Sequence, residues 1–235
     1  MKDADEIAVL AGGLAHEIRN PLSTIGLNLD LLGESLGGTD EDPADDRPTS
    51  RRKRMLRTVR RECDHLAEIL DAFLAFARAG TPELAPADLN ALVAEFAEFF
   101  EPTAAEAGVT LTTLLAPDLP GVRLDGRLFR QVLMNLALNA VQALAETPHP
   151  HVELATRPIL VGPAGGAVEL SVADNGPGVP PDARATMWDP FVSTKPGGSG
   201  LGLPTVRKIV EAHGGRVHCE SGPGGTTFRI ALPAA

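Results

Sequence analysis

The pattern of apolar and polar positions divides the chain into a helical first part and a remainder of shorter, alternating elements. From Ile7 to Leu36, apolar residues recur every three or four positions, which predicts one long helix with an apolar stripe. Two glycines end that stripe, and an acidic, proline-containing linker follows from Thr39 to Pro48. Thr49 or Ser50 can then cap a second helix, whose apolar stripe runs from Leu56 to Ala77.

Each helix of this antiparallel pair has one apolar stripe, and a single hairpin cannot bury both stripes well. Two hairpins that pack together bury all four stripes in a four-helix bundle. We therefore expect a homodimer. The alternative is a hairpin that folds against the rest of its own chain.

Beyond the hairpin, the pattern changes to a mixed α/β layer of helices and strands. A short strand near Leu84 precedes a helix that Asp88 caps, and Asp125 caps another helix that ends near Ala145. Apolar residues between turn signals predict further strands, which lie at 109–115, 122–124, 151–156, 167–173, 216–221 and 226–232.

Composition and charge exclude several classes of function. The 235 residues are 43% hydrophobic with a mean hydropathy of +0.02, which predicts a soluble globular chain. Acidic residues outnumber basic ones by 31 to 21, and the net charge of -10 argues against nucleic acid as the main partner. The acidic linker largely neutralises the basic run that follows it, Arg51 to Arg54, so we expect this run to be a solvated helix face.

The sequence also indicates a compartment. No apolar stretch is long enough to cross a bilayer, and the first ten residues do not resemble a secretory signal. Cys63 and Cys219 have no paired spacing, which indicates reducing surroundings. We therefore expect a cytoplasmic chain without a membrane segment, so that any sensing element would lie outside this chain or have been removed from it.

His16 is the first candidate for chemistry, because it lies off the apolar stripe and should face solvent. Asn20 shares its face one turn later, and Pro21 frees the carbonyl of Glu17 inside the predicted helix. The motif H-E-x-x-H would bind zinc, but Asn20 occupies its fifth position and is a poor zinc ligand. An ordinary surface histidine is the simpler alternative. As a nucleophile, a neutral His16 would attack through a ring nitrogen while Glu17 takes or orients the other ring proton.

Asn135 and Asn139 lie four residues apart on the helix that Asp125 caps, so both amides project from one face. Amide oxygens can ligate magnesium without adding negative charge beside a triphosphate. Taken alone, the pair is equally compatible with two surface or capping asparagines.

A sharp loop from Asp174 to Val179 begins a Gly- and Pro-rich stretch that extends to Gly200. Asp-Asn-Gly alone would predict a hairpin turn. Pro177 and Gly178 lengthen the loop, so that its backbone can lie against a flat ligand. The carboxylate of Asp174 can accept a hydrogen bond from an adenine amine.

Glycines between Gly197 and Gly202 open a helix that is predicted over residues 201–212. Backbone N–H groups and the dipole at such a helix start can meet phosphate. The motif is neither a P-loop nor the dinucleotide fingerprint, because it lacks the Gly-Lys-Ser/Thr ending and the third required glycine. A flexible interdomain loop is the alternative, but the apolar pattern directly behind the glycines favours a docked helix.

Taken together and in their order along the chain, these motifs resemble those of the transmitter core of two-component sensor histidine kinases. The resemblance covers nearly the whole chain. The segments that carry the resemblance are the H box at 14–22, the N box at 131–143, the first glycine box at 174–179, the F box at 189–195, the second glycine box at 198–203 and the last Gly-rich turn at 222–228. The F box and the end of the N box most resemble the nitrogen-regulation subgroup. Trp188 is a departure, since a phenylalanine or similar residue is common there.

The resemblance implies an α+β architecture with two domains. Residues 1–80 would form the dimerisation and histidine-phosphotransfer hairpin, which becomes a four-helix bundle in the dimer. Residues 84–235 would form an ATP-binding α/β sandwich of the gyrase, Hsp90, kinase and MutL type. The conformation of the linker helps to set which hairpin the ATP-binding domain reaches, so cis or trans phosphorylation stays open.

For the hairpin, the resemblance implies ATP-dependent phosphorylation of His16, with Glu17 as the base. The phosphoryl group would then pass to an aspartate on the receiver domain of a response regulator. Asn20 would place the water for dephosphorylating that partner, if this chain has phosphatase activity.

For the sandwich, the resemblance implies bound ATP and Mg²⁺. Asn139 would hold magnesium, Asn135 would lie close to the phosphates, and Asp174 would bind adenine. The remaining nucleotide-binding residues shape the pocket, the phosphate loop and the edge of a mobile lid, and they are Gly176, Gly178, Thr194, Lys195, Gly198, Gly200, Leu201 and Gly202. The lid would span residues 177–199, and a hinge would lie at 80–82.

Two other functions stay open. An ATPase that uses the same sandwich to drive conformational change would usually carry a glutamate where Asn135 stands, which weighs against hydrolysis as the purpose. A nucleotide-binding scaffold that only docks a response regulator would not need the full set of boxes.

Overall fold

The computed structural model describes most of the chain, namely residues 2–37, 47–160, 166–193, 195 and 198–235. Residues 39–46 of the predicted linker and the predicted site residue Thr194 lie outside this described part. The chain forms two compact units, which are Met1–Leu74 with Pro190–Leu201 and Ala75–Asp189 with Gly202–Ala235.

The first unit contains α1 (Lys2–Gly37) and most of α2 (Arg47–Arg78), which are the two predicted helices. α2 begins before its predicted cap, because Pro48 falls in the first helical turn, where a missing N–H costs nothing. The guanidinium of Arg52 donates hydrogen bonds to the hydroxyl of Ser35, at 3.0 Å, and to its carbonyl oxygen. The end of α1 therefore lies beside the start of α2, as an antiparallel hairpin requires.

The hairpin leaves many of its leucines exposed. Leu36 is 65% exposed and Leu27 is 60% exposed, and the others that are about half exposed are Leu22, Leu29, Leu56 and Leu70. Part of the apolar surface of the hairpin is thus not covered within the described part of this chain. None of the helices described is both long and apolar enough to pass through a membrane.

The second unit combines a sheet layer with a helix layer. Its strands are β1 (Ala85–Ala87), β2 (Thr110–Leu114), β3 (Val122–Leu124), β4 (His151–Leu160), β5 (Gly166–Asp174), β6 (Arg216–Gly222) and β7 (Gly225–Pro233). Its helices are α3 (Leu89–Glu106), α4 (Gly126–Ala143), α5 (Pro181–Arg184) and α6 (Gly202–Ala212). Every predicted element is present. The pattern did not predict α5, because a single turn has no periodicity to detect.

The main sheet has the strand order β2-β4-β5-β7-β6. β2 is parallel to β4, and the other neighbours are antiparallel, while β1 and β3 form a separate antiparallel pair. β4 is longer than predicted, because its pairing with β5 continues until Leu160 lies opposite Gly166. Cross-strand partners extend a strand where local propensity alone does not decide.

Helices α3, α4 and α6 cover one face of the main sheet. Phe129, Leu133 and Leu136 of α4 are fully buried in that layer, and buried residues alternate with more exposed ones along β7. The other face of the main sheet carries an ion-pair network. In it, the carboxylate of Glu169 lies 2.7 Å from Arg157 and 3.0 Å from Arg229. The α+β class, a helical hairpin followed by an α/β sandwich, is confirmed.

Part of the stretch expected to form a lid is instead packed into the second unit. Residues 181–184 form α5, Met187 is buried, and the ring of Trp188 lies edge-on to Phe228 at a centroid distance of 6.1 Å. The predicted lid over 177–199 was therefore too long. Glycine and proline content indicated a loop, but it could not show which loop residues reach the core.

The predicted hinge begins just beyond a packed turn of α2. Phe76 and Ala79 are buried, and the ammonium group of Lys208 lies 4.3 Å from the centroid of the Phe76 ring. These contacts explain why the boundary between the two units falls inside α2, between Leu74 and Ala75.

Candidate functional site

His16 lies on α1 with its imidazole exposed, as the apolar pattern predicts. Asn20 is exposed on the same face one turn later, and Glu17 is half-buried beside them. Pro21 is buried inside α1 and cannot donate the usual helical hydrogen bond to the carbonyl of Glu17. The imidazole of His16 is therefore accessible, and the carboxylate of Glu17 lies next to it in the chain.

A polar cleft of about 330 Å³ opens in the first unit next to Glu17 and Asn20. Glu17 and Asn20 of α1 line it together with Glu62 and His65 of α2, and its other lining residues are Pro21, Thr24, Phe191, Ser193, Lys195 and Gly198. Glu62 and His65 were not predicted from the sequence, because their place opposite α1 depends on the register between two helices. The predicted antiparallel pairing of the two helices could have indicated these residues, because it places part of α2 opposite Glu17 and Asn20.

Phe191 explains a glycine in the middle of α1. A Cβ atom on Gly13 would lie only 2.2 Å from Cδ2 of Phe191, so the ring occupies the space of a side chain at that position. Gly200, with φ of 65°, packs against the backbone of Phe191, and its carbonyl oxygen accepts a hydrogen bond from the N–H of Phe191 at 3.1 Å. Glycine is required at both positions, because any side chain would collide.

The neighbouring predicted residues are held by short-range contacts. The N–H of Lys195 donates to the hydroxyl of Ser193 at 3.1 Å, and the N–H of Gly198 donates to the carbonyl of Lys195 at 3.2 Å. Leu201 is fully buried. Thr194, between these residues, lies outside the described part of the chain.

In the second unit, Asn135 and Asn139 of α4 lie beside the start of α6. The amide nitrogen of Asn135 donates to the carbonyl oxygen of Gly202 at 3.3 Å. A Cβ atom on Gly202 would lie 4.0 Å from both asparagine side chains. The structure therefore brings together two motifs that lie more than sixty residues apart in the sequence.

Asp174, at the end of β5, is oriented by two backbone donors. Its Oδ1 accepts hydrogen bonds from the N–H of Gly176 at 2.9 Å and from the N–H of Thr226 at 3.3 Å. A Cβ atom on Gly176 would lie 3.6 Å from the carbonyl oxygen of Ala143, one turn after Asn139. The loop after β5, the end of α4 and the start of α6 thus meet at one edge of the sandwich.

The chemistry of this edge fits a magnesium–nucleotide complex better than a metal held by protein alone. Within the described ranges, no group of three or more His, Cys, Asp or Glu residues is placed to hold a metal ion. Asn135 and Asn139 offer neutral amide oxygens, so a divalent cation here would need phosphate oxygens and water for most of its ligands.

Two family matches agree with this geometry. Residues 8–82 match the His Kinase A (phospho-acceptor) domain, and residues 124–235 match the histidine kinase-, DNA gyrase B- and HSP90-like ATPase domain. The chain thus has the two domains of a histidine kinase transmitter core. His16 lies within the first match, and Asn135, Asn139 and Asp174 lie within the second.

Curated relatives of this chain include members of the predicted subgroup. The C4-dicarboxylate transport sensor protein DctS of Rhodobacter capsulatus is 37% identical over 232 residues, which cover 95% of this chain and 33% of DctS. The sensory histidine kinase/phosphatase NtrB of Rhizobium leguminosarum bv. phaseoli is 33% identical over 241 residues, which cover 99% of this chain and 60% of NtrB. The chain thus spans between a third and three fifths of the length of these two relatives.

Solved structures of histidine kinases have the same fold. Full-length ShkA in complex with AMPPNP gives a TM-score of 0.63 at 33% identity, over 97% of this chain and 46% of ShkA. ThkA in complex with the response regulator protein TrrA gives a TM-score of 0.74 at 24% identity, over 100% of this chain and 64% of ThkA. The second likeness concerns the fold alone.

Proposed function

We propose that this chain is the catalytic core of a sensor histidine kinase, which transfers the γ-phosphoryl group of Mg-ATP to His16 and then to an aspartate of a response regulator. The observation that carries the proposal is an exposed histidine beside a carboxylate, in the phospho-acceptor domain of a chain that also has an ATPase domain. We divide these domains at residues 1–80 and 84–235.

On the hairpin, His16 is the nucleophile and Glu17 is the base. A bond forms between a ring nitrogen and the γ-phosphorus, while the bond to the bridging oxygen of ADP breaks. Glu17 accepts or orients the proton on the other ring nitrogen, which makes the attacking nitrogen more nucleophilic. Such a transfer depends mainly on alignment, and the exposure of His16 permits an in-line approach.

In the sandwich, Asp174 accepts a hydrogen bond from the adenine amine, and Gly176 and Gly178 shape the loop that forms the adenine pocket. Asn139 would hold Mg²⁺, and Asn135 would lie close to the phosphates. The bound cation would neutralise charge on the phosphate oxygens. The residues assigned to the phosphate loop and the lid edge are Thr194, Lys195, Gly198, Gly200, Leu201 and Gly202.

The helical hairpin is the part of the chain that would bind the two proposed partners, a second copy of the chain and a response regulator. Exposed leucines on both helices supply an apolar surface, which a second copy of the chain would cover in a four-helix bundle. A receiver domain of a response regulator would accept the phosphoryl group, and the match to a phospho-acceptor domain supports such a partner. Asn20 would position the water that hydrolyses the phosphoryl group on the regulator's aspartate, and NtrB is likewise named a kinase/phosphatase. We propose a cytoplasmic location, because ATP is available there as the phosphoryl donor.

The test is incubation of the chain with γ-labelled ATP and magnesium. We expect an acid-labile, base-stable label on the parent and none on the His16→Gln or Asn139→Ala variant. His218→Gln is the matched control, because His218 is an exposed histidine on β6 and should leave labelling unchanged.

Two outcomes would contradict the proposal. A label that survives His16→Gln would overturn the assignment of the phospho-acceptor. ATP turnover without any label on the protein would favour an ATPase that drives conformational change.

A further inference from the structure

The hydroxyl of Ser221 joins three segments of the second unit. Ser221 lies near the end of β6, and its Oγ accepts a hydrogen bond from the backbone N–H of Val179 at 2.7 Å. The same Oγ lies 3.0 Å from Oγ1 of Thr226 and 3.4 Å from the carbonyl oxygen of Gly225, at the start of β7. Val179 ends the loop that begins at Asp174, so one side chain links that loop to both strands of the last hairpin.

Thr226 extends this link to the carboxylate of Asp174. Thr226 is 5% exposed, and its N–H donates to Oδ1 of Asp174 at 3.3 Å. A hydroxyl group can accept one hydrogen bond and donate another at the same time. Ser221 can therefore satisfy the N–H of Val179 on one side of the loop while it supports Thr226 on the other.

Two glycines hold the loop in close contact with the hairpin. Gly178 has φ of 82°, and a Cβ atom there would lie 2.2 Å from the carbonyl oxygen of Gly222 and 3.1 Å from Oγ of Ser221. Gly225 has φ of 131°, and its Cβ atom would lie 1.9 Å from the carbonyl oxygen of Asp174. The backbones meet where no side chain fits, so the turn between β6 and β7 forms a rigid support behind the loop.

We propose that Ser221 is a positioning residue, which holds the Asp174 carboxylate in the orientation that distinguishes adenine from guanine. This inference rests on the proposed function, in which Asp174 accepts a hydrogen bond from the exocyclic amine of adenine. Guanine carries a carbonyl oxygen at that position, so a fixed carboxylate repels it. If the loop can shift, the carboxylate turns away and part of this discrimination is lost.

A purely structural role gives a different result. If the role were purely structural, Ser221→Ala would lower the stability of the protein and weaken the binding of all nucleotides alike. If Ser221 has a positioning role, the substitution changes the preference between two nucleotides in a protein that stays folded. The ratio of ATP to GTP affinity therefore separates the two roles.

The experiment measures ATP and GTP binding to the whole chain by calorimetry, with thermal unfolding as a check on folding. Ser221→Ala leaves the N–H of Val179 without its acceptor, and we expect ATP affinity and the ATP-to-GTP ratio each to fall about tenfold. In the labelling reaction, the KM for ATP should rise while kcat at saturating ATP stays unchanged. Ser171→Ala is the matched control, because that hydroxyl bonds only weakly, at 3.5 Å, to a carbonyl of the same sheet.

Two further measurements keep the inference testable if Ser221→Ala folds poorly. Ser221→Thr retains the hydroxyl group and should restore most of the ATP-to-GTP ratio. In the parent, amide hydrogen exchange should show the N–H of Val179 protected relative to exposed loop amides.

An unprotected Val179 amide would overturn the inference, as would a nucleotide preference of Ser221→Ala equal to that of Ser171→Ala. A parent chain that binds no ATP would instead contradict the proposed function. The two failures are thus distinguishable.

Discussion

Nε2 of His213 accepts a hydrogen bond from the backbone N–H of Asp125 at 2.9 Å. Its Nδ1 lies 2.7 Å from the carbonyl oxygen of Ile209 and donates to it. Both bonds exist together only when the imidazole is neutral and carries its proton on Nδ1. His213 is buried and follows α6, while Asp125 caps α4, so this contact sets the register of the two helices that carry Gly202 and Asn139.

Replacing His213 with phenylalanine should lower the free energy of unfolding by about 1–3 kcal/mol. The new ring keeps the apolar contact with Phe129, but the N–H of Asp125 stays buried without an acceptor. Urea denaturation measures the change. His218→Phe, on an exposed strand position, is the control, and equal midpoints for the two variants would contradict the assignment.

The ionised carboxylate of Asp125 should stabilise the folded protein at neutral pH, and this contribution should be lost in acid. Burial opposes its ionisation, but the N–H groups of Glu83, Leu128 and Arg127 and the Arg127 guanidinium outweigh burial and hold the pKa of Asp125 below its ordinary value of 3.8. Because the folded-state pKa is the lower one, the contribution is complete above pH 3.8 and is lost as pH falls through the folded-state pKa.

The matching variant is Asp125→Asn, which keeps an acceptor oxygen but no charge. It should be less stable than the parent at pH 7, by about 1 kcal/mol as for a weakened helix cap. Denaturation curves between pH 7 and pH 3 should show the two proteins converging at the acid end. A difference that stays constant over this range would rule out the carboxylate as its source.

Gly178→Ala should weaken ATP binding strongly. The added methyl group would lie 2.2 Å from a backbone oxygen, at a φ of 82° that side chains rarely adopt, so the loop that carries Asp174 must move. Gly224→Ala in the last hairpin is the control, because nothing lies within 4 Å of its Cβ position. Calorimetry on both variants checks the prediction, which fails if they bind ATP equally well.

Cys219 should react with iodoacetamide far more slowly than Cys63. Burial raises the pKa of the Cys219 thiol to about 11, so the reactive thiolate is scarce at pH 8. Cys63 is exposed on α2. Mass spectrometry of the Cys63→Ser and Cys219→Ser variants gives each rate separately, and similar rates in the folded proteins would contradict the burial of Cys219.

Much of the fold could be predicted because its signals are local. The stripe of α1 repeats within each turn, and Asp88 and Asp125 occur where the helices that they cap begin, so their side chains accept N–H bonds two or three residues away. The length of β4 and the packing of Trp188 could not be predicted in this way. They depend on β5 and on Phe228, whose positions relative to them no local pattern contains.

The same distinction between local signals and long-range contacts applies to the candidate site. The sequence by itself determined which residues can do chemistry and that His16 faces solvent, because residue type and helical periodicity are properties of short segments. Only the tertiary structure decided that Ser221 supports Val179 across 42 positions and that Asn135 meets Gly202 across 67. Contacts between distant segments arise from strand order and helix packing, and these take shape only when the whole core is assembled.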